Sequence, residues 1–253
     1  FICTLTEKSS GVIKQYYERD DVAIQTKDDR TPVTNADLDT ETVMRDLIRK
    51  TYPEHGIIGE EFGEENTSAE FVWTLDPIDG TISFTHGCPL FGTLVGLLHK
   101  DKPVAGAINI PLLDKLCIGY RNHTSINGKT VKVKETSYLS DALLLTTDIN
   151  CIAEYNRKHN LDMLIEKTRL FRTWGDCYGY LLIASGNADV MIDLNMKPWD
   201  TIPLIPIIEG ANGVITSWAG TVASSDMSCI ASNKTLHTQA LEILNKRPPP
   251  TSL

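Results

Sequence analysis

Asp76 and Asp79 stand three positions apart in Asp76-Pro77-Ile78-Asp79-Gly80-Thr81. The apolar run Phe71-Val72-Trp73-Thr74-Leu75 precedes them and predicts a strand that delivers both carboxylates to one turn. Pro77 and Gly80 shape that turn, so the two acids can converge on a hard cation. Gly80 and Thr81 then offer backbone N–H groups where a helix can begin, and a helix start favours an anion. A cation site beside an anion site is what metal-assisted phosphate hydrolysis requires.

Three further segments place an acid at an expected element boundary: Thr34-Asn35-Ala36-Asp37, Gly59-Glu60-Glu61 and Pro198-Trp199-Asp200. Each has an ordinary explanation when taken singly. Asp37 reads first as a helix cap, Glu60 as an exposed loop acid, and Asp200 as a cap for the helix after it. Together the four segments are far more specific. Acids that converge in a fold require cations or hydrogen bonds, because burying them unpaired is very unfavourable. Mg2+ prefers oxygen ligands and keeps several waters, which suits a site shared with phosphate.

The elements that must position these acids are legible in outline. Leu38, Val43, Met44, Leu47 and Ile48 recur at helical spacing and predict a helix over 38–52, with Asn35 or Asp37 as cap and Pro53 as stop. Gly56–Gly59 reads as a short strand leading to Glu60, and 60–70 as an acidic loop. Residues 91–99 and 103–110 predict paired strands, 116–121 another, and Asn127-Gly128 a tight turn. Beyond residue 140 the pattern alternates: strand 142–147, helix 152–168, strand 169–173, helix 177–186, strand 188–193. A helix over 201–211 is expected despite Pro203 and Pro206, then strands near 214–217 and 228–231 and a last helix at 234–245. Paired strands first and alternation later suggest stacked helix and sheet layers. We divide the chain into an N-terminal α+β lobe, 1–135, holding most of the acids, and a C-terminal α/β lobe, 136–247, holding Asp200. The two are expected to form one compact unit, followed by a disordered tail at 248–253.

Composition narrows the classes. The 253 residues include 24 Lys and Arg against 33 Asp and Glu, a net charge of −9, which excludes a broad nucleic-acid or anionic-membrane surface. No stretch approaches the roughly 20 apolar residues of a membrane span. No signal-like segment is present, although the chain begins at Phe1, so natural N-terminal residues are expected to precede it. The six cysteines are widely and irregularly spaced with no C-x-x-C pair, as expected of reduced, packed thiols in a cytoplasmic protein.

The order of the four acidic segments resembles the inositol monophosphatase superfamily, Mg2+-dependent phosphomonoesterases, from about Lys27 to Asn245. Its strongest signatures are Asp76-Pro77-Ile78-Asp79-Gly80-Thr81 and Trp199-Asp200. Within it the text is most similar to the histidinol-phosphate phosphatase branch, through Pro89-Leu90-Phe91-Gly92-Thr93, Gly175-Asp176-Cys177-Tyr178 and Pro206-Ile207-Ile208-Glu209-Gly210. The resemblance implies a layered αβαβα sandwich of the α/β class, commonly a homodimer, with two or three Mg2+ ions per site. It implies that Glu60, Asp76 and the Ile78 carbonyl hold one metal, and Asp76, Asp79 and Asp200 a second. It further implies that Asp37 orders a water, directly or through a third metal, that Thr81 touches the attacking water, and that the Gly80 and Thr81 amides hold the phosphate.

Substrate choice rests on other residues. Histidinol phosphate carries an ammonium and an imidazole, which a nearby carboxylate would favour. Asp193 is the first candidate, in the position where the family contacts the substrate's organic part, and Asp176 the second. Each reads equally as a loop acid or cap. His86, Trp174 and Tyr178 are pocket candidates that packing explains as well, and Met191 and Met196 read as core or edge. The stretch 82–88 departs from the bulkier sequence usual in inositol enzymes and belongs to either the rim or a dimer contact. Lys27 is a candidate for the entrance or a solvated loop lysine. Two alternatives stand beside histidinol phosphate: inositol or another sugar phosphate as substrate, and a metal-binding regulatory protein without turnover. Intact Glu60, Asp76, Asp79, Thr81 and Asp200 argue against the last.

Overall fold

The computed structural model describes residues 1–17, 24–26 and 32–246. Lys27 and the tail 248–253 lie outside the described residues. In chain order the elements are α1 (Ile2–Tyr17), β1 (Ile24–Thr26), β2 (Pro32–Thr34), α2 (Asn35–Thr51), β3 (Gly56–Gly59), β4 (Gly63–Glu65), β5 (Phe71–Asp79), α3 (Thr81–Thr85), β6 (Gly92–His99), β7 (Lys102–Ile110), β8 (Lys115–Tyr120), β9 (His123–Ile126) and β10 (Lys129–Thr130). There follow β11 (Leu143–Leu145), α4 (Ile149–Glu154), α5 (Lys158–Lys167), β12 (Leu170–Arg172), α6 (Asp176–Ala184), β13 (Val190–Leu194), α7 (Pro198–Gly210), β14 (Val214–Thr216), β15 (Ser228–Ser232) and α8 (Lys234–Leu244). No helix among the described residues is long and apolar enough to cross a membrane.

Two sheets carry the fold. Eight strands run in the order β10-β9-β8-β7-β6-β5-β3-β4, and five in the order β12-β11-β13-β15-β14. Helices α1 and α2 cover one face of the large sheet, α6 and α7 lie between the sheets, and α8, with α5 against it, covers the far side of the small sheet. This is the expected αβαβα sandwich. Covering on both faces explains why β5 is buried at every position from Val72 to Ile78, with no alternation of buried and exposed residues.

The central layer lies close because of a row of glycines. Gly96, Gly106 and Gly119 are cross-strand neighbours on β6, β7 and β8. A Cβ at Gly106 would stand 1.9 Å from the Pro203 carbonyl oxygen, and one at Gly119 would stand 2.4 Å from that of Pro206. Helix α7 therefore seats its two prolines on bare backbone. Pro203 and Pro206 each remove a helical N–H, yet the helix continues, because tertiary packing overrides propensity. Ile202, Leu204, Ile205, Ile207 and Ile208 are all buried along it.

Several expected boundaries shift. The expected helix over 152–168 is two helices, broken at Asn156, whose φ is 57°. The acidic loop 60–70 contains strand β4, paired with β3. The cap of α2 is Thr34, not Asn35 or Asp37. Strand β5 runs through the supposed turn to Asp79, with a break in register against β6 between Asp76 and Asp79. Helix α1 has no counterpart in the sequence reading.

Candidate active site

Three elements end at one place: the C-terminus of β5 and the N-termini of α6 and α7. Asp200 is the third residue of α7 and accepts a hydrogen bond from the Lys197 N–H at 2.7 Å. It does act as a cap, and the same geometry aims its other oxygen at β5. Carboxylate oxygens of Asp76, Asp79 and Asp200 all lie within 4.8 Å of one another. Glu60, at the tip between β3 and β4, comes within hydrogen-bonding reach of Asp76. The Cys177 N–H at the start of α6 donates to Asp79, so the positive end of that helix faces the cluster.

Burial and mutual repulsion show in the proton affinities. Asp76 is pushed well above the carboxylate range, first by burial and then by the charges of Glu60, Asp79 and Asp200. Burial and the charge of Asp200 raise Asp79 to about 8. Asp200 rises to about 7, chiefly through burial, against the pull of the Lys197 N–H. Such carboxylates are hard to ionise without a cation.

The donor set fits a hard divalent cation. All four side chains offer oxygen. Asp76 is 2% exposed, and its Oδ1 is buried with no hydrogen-bond partner. A buried carboxylate oxygen left open among three other acids is the gap a cation would fill.

Asp37 serves a different part of the site. Its Oδ2 accepts from the Thr34 N–H at 2.8 Å and the Thr34 hydroxyl at 2.6 Å, closing a capping box. Its Oδ1 lies 3.5 Å from the Thr81 hydroxyl, which also reaches the Ile78 carbonyl at 3.0 Å. The acid of the capping box, three residues after the Thr34 cap, and the candidate catalytic residue are thus one side chain. Gly80 has φ 88°, and a Cβ there would stand 2.9 Å from Asp176 Oδ2, so glycine is required on both counts.

These residues line a cleft of about 550 Å3. Glu60, Asp76, Ile78, Asp79, Gly80, Thr81, Asp176 and Asp200 all reach it. Ile82, Ser83 and Cys88, from the stretch 82–88, form part of its wall. Sequence reasoning missed Asp148, Asn195 and Lys197, which also line it. Asp148 caps α4 through the Asn150 N–H at 2.8 Å, and a lone aspartate before a helix gave no other signal. His86, Trp174 and Tyr178 are absent from this lining.

Asp193 and Asp176 both line a cavity of about 260 Å3 that adjoins the cleft and shares Asp79, Asp148 and Asp200 with it, but only Asp176 lines the cleft as well. Asp193 is 4% exposed. Its oxygens accept from the Thr147 N–H at 2.8 Å, the Thr146 hydroxyl at 3.2 Å and the Tyr180 hydroxyl at 3.1 Å. Burial still raises it to about 6. Asp176 is half-buried at the cleft wall with φ 49°, and burial, then Asp79, push its carboxyl well up.

A two-sheet sandwich with a carboxylate cluster at the joint of its layers defines a class, that of proteins built to hold hard cations beside a small-molecule cleft. The chain belongs to the inositol monophosphatase family, whose model matches residues 1–248. It is 40% identical over 253 residues to the bifunctional phosphatase IMPL2, chloroplastic, of Arabidopsis thaliana, covering 95% of this chain and 72% of that one. It is 37% identical to a histidinol-phosphatase of Chlorobaculum parvum, covering 85% and 84%. An inositol monophosphatase structure from Zymomonas mobilis superposes with a TM-score of 0.87 at 33% identity, covering 96% of both chains.

Proposed function

We propose that this protein is a Mg2+-dependent phosphomonoesterase whose substrate is histidinol phosphate. The observation that carries the metal dependence is the buried, unpartnered oxygen of Asp76 among Glu60, Asp79 and Asp200 at the floor of the cleft. Bound there, Mg2+ supplies a Lewis acid that acidifies water and offsets phosphate charge. Glu60, Asp76, Asp79, Asp200 and the Ile78 carbonyl would hold it.

The chain's own groups do the rest. Thr81 offers a hydroxyl at the cleft, and Asp37 fixes that hydroxyl from behind, so a water held there is aimed rather than free. The first N–H groups of α3, Thr81 onward, have no partners within their helix, and Thr81, Ile82 and Ser83 line the cleft, an arrangement suited to phosphate oxygens. No side-chain nucleophile is needed. All six cysteines are unpaired, which supports a reducing compartment.

The cleft's charge supports a cationic leaving group. Six acids line it, Glu60, Asp76, Asp79, Asp148, Asp176 and Asp200, against one basic residue, Lys197, among the described residues. Asp148 and Asp176 stand beyond the metal cluster, where an ammonium or imidazolium would meet them. The name of the Chlorobaculum parvum relative, a histidinol-phosphatase, supports this choice, and that of the Zymomonas structure, an inositol monophosphatase, supports an inositol monophosphate as the second reading. Of the two expected specificity residues, Asp176 is the better reader because it reaches the cleft. Asp193 lines the adjoining cavity, its oxygens already held by Thr146, Thr147 and Tyr180.

Steady-state kinetics with Mg2+ on both substrates tests the choice. We expect a higher kcat/KM for histidinol phosphate than for myo-inositol 1-phosphate. Asp176→Asn should raise KM for histidinol phosphate and leave that for inositol phosphate nearly unchanged. Equal effects on both substrates, or a preference for the inositol ester, would contradict the substrate reading.

A further inference from the structure

Glu41 is 0% exposed and stands one helical turn beyond Asp37 on α2. Its carboxylate is fully engaged. Oε1 accepts from Arg45 Nε at 2.7 Å and from the Phe62 N–H at 3.2 Å, while Oε2 accepts from the Glu61 N–H at 2.8 Å. Arg45 extends the grip to the Gly63 carbonyl and to Glu65 at 3.3 Å. The gripped segment is the tip between β3 and β4, closed by the cross-strand pair Gly59 and Gly63. Glu60 sits on that tip.

Gly59 confirms how tightly the parts fit. A Cβ there would stand 2.0 Å from Glu41 Oε1 and 2.7 Å from Arg45 Nη2. The carboxylate cannot swing away cheaply, because three hydrogen bonds pin it. A buried ion pair is a poor source of net stability, since desolvation offsets most of the attraction. Its return is geometric: Glu41 fixes two successive amides next to Glu60, and Arg45 cancels its charge so that no fifth bare carboxylate faces the cluster.

We propose that Glu41 is a positioning residue for the cation site, setting through the Glu61 and Phe62 amides where the Glu60 carboxylate stands relative to Asp76. The proposal rests on the reading of Glu60 as a cation ligand. Asp37, Glu41 and Arg45 recur every four residues on the buried face of α2. One rigid helix thereby references both sides of the site, Thr81 through Asp37 and Glu60 through Glu41. Supporting contacts of this kind commonly control metal affinity.

The test is calorimetric titration of Mg2+ into the wild type, Glu41→Gln and Gly59→Ala, with melting temperatures recorded without metal. Glu41→Gln keeps the side chain's shape but replaces one acceptor with a donor and leaves Arg45 only the part-exposed Glu65 as counter-charge. Gly59→Ala keeps the carboxylate and displaces it from the tip; it also serves if Glu41→Gln fails to fold. Each variant should bind Mg2+ about 10- to 100-fold more weakly. KM for substrate at saturating Mg2+ should be unchanged. A folded variant with a lower melting temperature and wild-type Mg2+ affinity would show a merely structural role and overturn the proposal. A wild type that binds no Mg2+ would instead overturn the cation-site reading, and the proposal with it.

Discussion

Asp200→Asn should strengthen the metal-free fold while abolishing the cation site. Asp200 rises from 3.8 in an unfolded chain to about 7 here, chiefly because its charged form is buried. An acid raised in this way costs stability as pH climbs from the unfolded value through the folded one, since the unfolded chain ionises first. The gap corresponds to about 4 kcal/mol at pH 8 if taken whole. The carboxylate opens onto the cleft and shares protons with Asp76 and Asp79, so screening and coupling reduce it to about 2 kcal/mol. Asparagine keeps the oxygen that accepts from the Lys197 N–H, so the cap of α7 survives. For a chain of this size the gain is worth about 4–8 °C in Tm at pH 8 with a chelator present. At pH 3 the two proteins should nearly coincide, because Asp200 is then protonated in both the folded and the unfolded wild type. Adding Mg2+ at 100 times its Kd should stabilise the wild type by about 2.7 kcal/mol and the variant hardly at all. A variant less stable than wild type at pH 8 without metal, or an equal response to Mg2+ in both, would refute the reasoning.

Glu60→Gln and Asp79→Asn should each lower kcat by more than the ~10- to 100-fold that supporting contacts cost, with the circular dichroism spectrum unchanged; wild-type turnover in both would contradict their role as ligands. Gly106→Ala should destabilise by about 3 kcal/mol in urea unfolding, because its Cβ meets the Pro203 carbonyl at 1.9 Å, and should weaken Mg2+ binding by displacing α7 and Asp200. Gly11→Ala, with nothing within 4 Å and a position inside α1, should instead stabilise by about 0.5–1 kcal/mol. Asp193, raised by burial to about 6, should make the wild type lose about 3 kcal/mol relative to Asp193→Asn between pH 3 and pH 7. A stability difference between those two proteins that does not change with pH would show that Asp193 does not carry the penalty.

What could be read in advance was whatever the local chain dictates. The Phe71–Leu75 run needed only periodicity and residue type, and it is a strand as expected, although the strand runs on through the acids to Asp79 instead of ending before them. Asn127 and Gly128 take φ of 49° and 76°, the left-handed pair that a tight hairpin demands and that their types announce. The acids' convergence was accessible because four boundary carboxylates have few other uses in combination. What escaped was decided by distant partners. Helix α1 buries Thr6 and Ser9 beside Leu5 and Ile13, so its inner face lacks a clean apolar stripe. Glu41 and Arg45 look like the solvated side of α2, and only the tip between β3 and β4 reveals why they are inside. The glycine row beneath α7 spans three strands and has no signature along the chain. Spacing gave no depth for Asp193: it is buried with its oxygens held by Thr146, Thr147 and Tyr180, yet it shares a cavity with Asp79, Asp176 and Asp200.

Anomalous diffraction from crystals soaked in Mn2+ and phosphate examines the shared cation site most directly. We expect metal peaks within coordinating distance of Asp76, Asp79, Asp200 and Glu60, with phosphate density against the first turn of α3. Crystals that take up Mn2+ elsewhere and leave these four carboxylates bare would contradict the assignment.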